Sequence, residues 1–179
     1  MPSAAADYQA ILRTLVDHKV DFIVVGGLSA MLHGAPIVTL DLDLVHSRDS
    51  QNLERFLQAL ESLDAHSRER TDRKIRPTLP FLDISGHLLL ATSKGPLDVL
   101  GTIGDDLGYD ELLKHTTEME VAKDLHVRVL NLDKTIEIKE KLAREKDRAM
   151  LPVLRRALEA KRNPQPPARG QRKKRPKNS

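Results

Sequence analysis

Cysteine and tryptophan are absent, and the 179 residues include only two Tyr and three Phe. Without cysteine there is no disulfide, no thiolate nucleophile and no thiolate zinc site, which removes several enzyme classes. A metal held by hard oxygen ligands stays open. With so few aromatic rings, the core has to be built mainly from aliphatic side chains. No apolar run approaches the length needed to cross a bilayer, and Met1-Pro-Ser-Ala-Ala-Ala-Asp7 has neither the charged nor the apolar region of a signal peptide. A cytoplasmic protein with no membrane partner is the expectation.

The length suits one sizeable core, and a second independent domain would be cramped. The net charge of +3 is misleading, because six of the 29 Lys and Arg lie in residues 163–179, which hold no acid. Residues 1–162 therefore carry 23 basic against 26 acidic side chains and read as one slightly acidic domain. Residues 163–179 read as a disordered basic tail, since Pro164, Pro166, Pro167 and Pro176 accompany no large apolar residue. Such a tail either solubilises the chain or makes weak RNA or DNA contacts, and no aromatic residue is interleaved to stack on bases.

Tyr8, Ile11, Leu12, Leu15 and Val16 recur at helical spacing and predict an amphipathic helix over about residues 5–18. The continuous apolar run Phe22–Val25 predicts a strand covered on both faces. Residues 28–34 read as a short helix closed by Gly34, and Asp49 or Ser50 caps a helix with Leu53, Phe56, Leu57 and Leu60 inward. Residues 65–81 carry Arg68, Arg70, Arg73, Lys74 and Arg76 without periodicity and read as a loop, either bordering an acidic ligand or simply solvated. A hairpin turning at Ser93-Lys-Gly95, a short helix over 109–115 and a strand pair at 118–121 and 127–130 follow. From Asp133 one helix is expected, with Glu137–Lys141 and Glu140–Arg144 pairs outward and Ile136, Lys139, Ala143, Asp147 and Met150 inward. Pro152 is expected to kink or restart it.

The chemistry concentrates between residues 22 and 45. Val38 to Val45 alternates as a strand, with Thr39, Asp41, Asp43 and Val45 on one face. Two like charges on one face raise each other's pKa unless a cation separates them, and a divalent metal would do so. Upstream, Gly26-Gly27 allows a sharp turn and close approach of the backbone to a phosphate, and Ser29 follows on the short helix. Asp98 is an acid on a strand whose Leu97 and Val99 face the other way. It is either a solvated strand acid or a third metal carboxylate. Lys139 on its inward stripe either snorkels over the core or reaches a triphosphate.

Val25-Gly-Gly27, a short helix and Asp41-Leu-Asp-Leu44, with Asp98 later, resemble the nucleotidyltransferase superfamily with the DNA polymerase beta-like fold. His33-Gly34, Thr39, Lys139, Arg144 and Lys146-Asp147 look like the small stand-alone bacterial members of the AbiEii-type and minimal groups. Many relatives carry a basic residue shortly before the acids, where this chain has Ala35-Pro-Ile-Val38. The resemblance implies an α+β fold: a mixed, largely antiparallel sheet with packed helices and a C-terminal helical region. It also implies transfer of a nucleoside monophosphate from a nucleoside triphosphate to an acceptor hydroxyl on a protein, a tRNA end or a small molecule, in some relatives within a toxin–antitoxin module. Asp41, Asp43 and Asp98 would then bind Mg2+ or Mn2+, and Gly26, Gly27, Ser29 and Lys139 the nucleotide. Two other classes stay open: a non-catalytic binding partner or antitoxin of the same fold, and a nucleic-acid binder acting through the tail.

Overall fold

The Asp7 carboxylate accepts the Ala10 N–H at 2.9 Å and so starts α1 (Tyr8–Asp17), whose buried stripe is Ile11, Leu12 and Leu15. The computed structural model describes residues 6–69 and 72–164. The basic tail falls outside the described residues apart from Asn163 and Pro164. After α1 the chain makes β1 (Phe22–Val25), then α2 (Gly26–Leu32), β2 (Leu42–His46) and α3 (Ser50–Ser62). The short β3 (His66–Ser67) and α4 (Leu79–Leu82) precede the hairpin of β4 (His87–Thr92) and β5 (Gly95–Leu100). Then come α5 (Tyr109–Leu113), the hairpin of β6 (Thr116–Ala122) and β7 (Leu125–Leu130), α6 (Leu132–Leu142) and α7 (Glu145–Arg162).

The strands form one sheet in the order β3-β4-β5-β2-β1-β7-β6. Among the described residues only β1 with β7 and β2 with β5 pair in parallel, so the sheet is mixed and largely antiparallel. Strand β1 lies inside it and is buried throughout, as its unbroken apolar run requires. Leu42, Leu44, Leu97 and Val99 point to one face, where α1 and α3 supply Ile11, Leu12, Leu15, Leu53, Phe56 and Leu60. Ile23, Val25, Val45 and Leu100 point to the other, against Leu112 of α5 and Ile138 of α6.

Three expectations need correcting. The carboxylate strand starts at Leu42, not Val38. Strand β1 ends at Val25, opposite Asp43, and the chain then enters α2, so residues before Leu42 lose their ladder partner. Val38 and Leu40 are accordingly 89% and 77% exposed. In their place Thr39 makes a local turn, its Oγ1 donating to the Asp41 carbonyl at 2.9 Å.

The late helix is two helices. It breaks at Ala143, which sits in the left-handed region at φ 50°. The expected Glu140–Arg144 pair therefore does not form: Glu140 receives Arg155 at 2.6 Å, whereas Glu137–Lys141 holds at 3.0 Å. Pro152 lies inside α7 and does not restart it. Finally, residues 65–81 contain β3 and the first three residues of α4 besides loop.

Candidate active site

Alternation along β2 and β5 decides where the acids go. Asp43 lies two residues before Val45, and Asp98 two before Leu100, so both acids share the face that carries those buried apolar residues. The parallel register sets Asp43 directly beside Asp98. At this end of the sheet the covering α6 and α7 leave a cleft of about 790 Å³, lined among others by Gly26, Gly27, Asp43, Asp98, Lys139 and Asp147. That volume is within the range of small-molecule sites.

The glycine turn is shaped by the acid beneath it. Gly26 has φ +65°, and a Cβ there would come within 2.3 Å of Asp43 Oδ2. Any side chain at 26 would thus collide with the carboxylate in addition to straining the backbone. Burial first, then the charges of Asp98 and Asp41, push the Asp43 carboxyl up to about 6, against the opposing Gly27 N–H and Lys139. Asp98 is also raised, first by burial and then by Asp41, while Arg68 opposes.

The raised Asp43 has a consequence for the metal-free protein. Between the ordinary value of 3.8 and about 6 the folded state holds a proton that the unfolded state has lost. Stability due to this group therefore falls as pH rises through that window. Subtracting the unfolding free energy of Asp43→Asn from that of the parent, in chelator, should give a difference that declines from pH 4 to pH 6 and then levels. A difference flat across that range would contradict the buried, charge-crowded environment.

Lys139 does more than snorkel. Its Nζ donates to Asp147 Oδ1 at 2.8 Å, and Arg144 Nε donates to the other oxygen at 2.6 Å. The Asp147 side chain is fully buried. Burial alone would raise its carboxyl, but the hydrogen bonds from Arg144 and Lys139 outweigh it and hold the group below its usual range. The ammonium at the cleft wall is thereby fixed by an acid behind it.

Asp41 and Ser29 depart from expectation. Asp41 precedes β2 and is joined to Asp98 through Arg68, whose Nη1 donates to Asp41 Oδ1 at 3.1 Å and whose Nη2 donates to Asp98 Oδ1. Ser29 is fully buried, and its hydroxyl donates to the Leu130 carbonyl at 2.8 Å. It ties α2 to β7 and is not presented to the cleft. Arg68 is the residue that sequence reasoning left undistinguished among the basic residues of 65–81. Its position depends on β3 pairing with β4, a contact without a local signature.

No protein-family model and no curated protein matches the sequence. Solved structures do resemble the fold. A Thermotoga maritima protein proposed to be a nucleotidyltransferase is 18% identical, with a TM-score of 0.53 over 85% of this chain and 90% of that one. The lincosamide antibiotic adenylyltransferase LnuA, bound to lincomycin, is 15% identical, with a TM-score of 0.55 over 83% and 94%. ANT(2'')-Ia in complex with adenylyl-2''-tobramycin is 13% identical, with a TM-score of 0.54 over 87% and 89%. At these identities the likeness bears on architecture, and it agrees with the mixed sheet and the placement of its helices: the chain has a nucleotidyltransferase fold.

Proposed function

We propose that this chain is a metal-dependent nucleotidyltransferase that moves a nucleoside monophosphate from a nucleoside triphosphate to an acceptor hydroxyl. The observation that carries this reading is Asp43 beside Asp98 on adjacent strands, under a glycine turn and in one cleft with Lys139. The adenylyltransferase among the structures of like fold supports it.

Carboxylate oxygens suit Mg2+ or Mn2+, and Mg2+ is commonly held by one or two carboxylates with substrate phosphates completing its shell. Among the described residues no group of three or more acids or histidines is placed to hold a metal ion by itself, so the ion would depend on the substrate's phosphates to complete its shell. Crowding of Asp43 by Asp98 and Asp41 is the electrostatic cost that a divalent ion would relieve. Asp41, Asp43 and Asp98 would hold the ion, which when bound would neutralise phosphate charge and polarise the α-phosphate.

The protein's own groups account for the rest. Gly26 and Gly27 let the triphosphate lie against bare backbone, and Lys139, braced by Asp147, offers its charge to the phosphates. Asp98, whose carboxyl is raised by burial, accepts the proton of the acceptor hydroxyl as that oxygen bonds to the α-phosphorus. The bond from the α-phosphorus to its bridging oxygen breaks, and pyrophosphate leaves. Positioning and charge supply the acceleration, with no covalent enzyme intermediate.

We propose a small-molecule hydroxyl as the acceptor, because LnuA, with lincomycin bound, is spanned over 94% of its length. Purified protein would be incubated with each α-labelled triphosphate, Mg2+ and fractionated cell extract. Label in a small-molecule fraction is expected. Label on protein or tRNA would favour an AbiEii-like role in a toxin–antitoxin pair, and triphosphate binding without label in any fraction would indicate a non-catalytic module. In the same assay Asp98→Asn should slow transfer by about 10²-fold or more while still binding triphosphate through Asp41, Asp43 and the glycine turn. An unchanged rate would return Asp98 to a purely structural role.

A further inference from the structure

Arg68 follows β3, and its backbone is fixed there: its N–H donates to the Leu89 carbonyl at 2.8 Å. From that anchor one guanidinium forks over Asp41 and Asp98, two acids that belong to different parts of the chain. Asp98 is only 14% exposed and Asp41 42%, so the fork closes over the deeper acid from the solvent side. Asp43 makes no ion pair among the described residues. Among the described residues Arg68 Nε is buried without a hydrogen-bond partner, so the side chain forgoes one bond to hold this pose.

An arginine cannot shed its proton, so its charge at this place is permanent. Arg68 engages Oδ1 of each carboxylate and leaves Oδ2 open, but a divalent ion drawn in between the two acids would lie against the guanidinium, and the two cations repel. We propose that Arg68 is a positioning residue that holds Asp41 and Asp98 together in the metal-free protein and competes with the metal for them. This rests on the assignment of the three aspartates as the metal site. Ion entry then begins at Asp43, which the fork leaves uncovered, and is completed when Arg68 yields Asp41 and Asp98. The competition lowers affinity for the bare ion, so that the site fills effectively only when triphosphate brings further ligands.

The test measures Mn2+ binding to the full chain by calorimetry, without nucleotide, in the parent, Arg68→Gln, Arg68→Lys and Asp43→Asn. Arg68→Gln should bind Mn2+ about tenfold tighter than the parent, the scale of removing a partly exposed two-bond ion pair. Its melting temperature in chelator should fall. Arg68→Lys, which keeps the charge but cannot fork, should lie between the two and stays informative if the glutamine variant folds poorly. Binding in Arg68→Gln that is unchanged, weaker or undetectable overturns the proposal, provided that Asp43→Asn binds more weakly than the parent. If Asp43→Asn binds Mn2+ as the parent does, the metal assignment itself fails, and the proposal with it.

Discussion

Asp43→Asn should lower nucleotidyl transfer by about a thousandfold or more while making the metal-free protein harder to unfold. The first effect follows from removing a ligand charge at the ion that neutralises the triphosphate, an interaction worth several kcal/mol. The second follows from the raised carboxyl. An acid held near 6 by burial and by Asp98 and Asp41 is ionised at neutral pH against its surroundings, and the neutral amide relieves that. The gain should be on the order of 2 kcal/mol at pH 7, read from denaturant unfolding in chelator. With Mg2+ and triphosphate present the order should reverse, because only the parent gains from the bound ion. A variant that kept parental transfer, or lost stability without metal, would contradict the site as described.

The second large effect concerns Lys139, Arg144 and Asp147. Lys139→Met leaves a fully buried carboxylate with only the half-exposed Arg144, and should cost about 3 kcal/mol. Asp147→Leu strands the Lys139 ammonium and should cost a similar amount. The double variant should be far more stable than the sum predicts, since an apolar pair of similar size replaces the charged one. Additive losses would mean that Lys139 and Asp147 are not energetically coupled. The double variant also isolates function from folding: it lacks the ammonium without an unpaired buried acid, and its triphosphate affinity should fall about tenfold. Parental affinity would reject Lys139 as a phosphate contact.

Much of this was legible in the sequence where the determinant was local. The apolar run of β1, the Asp49 cap of α3 and the turn between β4 and β5 each depend on neighbours within a few residues. Alternation around Leu97 and Val99 placed Asp98 on the face opposite those core residues, and that held. What was hidden depended on distant pairing. Nothing in Val38–Asp41 announces that the ladder stops at Leu42, because the cause is β1 turning into α2 at Gly26. Lys141-Leu-Ala-Arg144 contains neither glycine nor proline, so the break at Ala143 has no breaker residue to mark it. Lys139 and Asp147 were both visible as polar residues on an inward stripe, yet their bond to each other depends on that break and on how α7 returns. Ser29 looked available beside the glycine turn, but the carbonyl that captures its hydroxyl belongs to Leu130, far away in the chain.

If the proposed reaction is right, this cleft breaks the bond between the α- and β-phosphates of a triphosphate. Two parallel reactions with Mg2+ and the labelled acceptor fraction, one with α-labelled and one with γ-labelled triphosphate, test it most directly. The expected result is that α-label passes to the acceptor, that γ-label leaves only as pyrophosphate, and that Asp43→Asn does neither. Transfer of γ-label to the acceptor, or equal α-label transfer by Asp43→Asn, would contradict it.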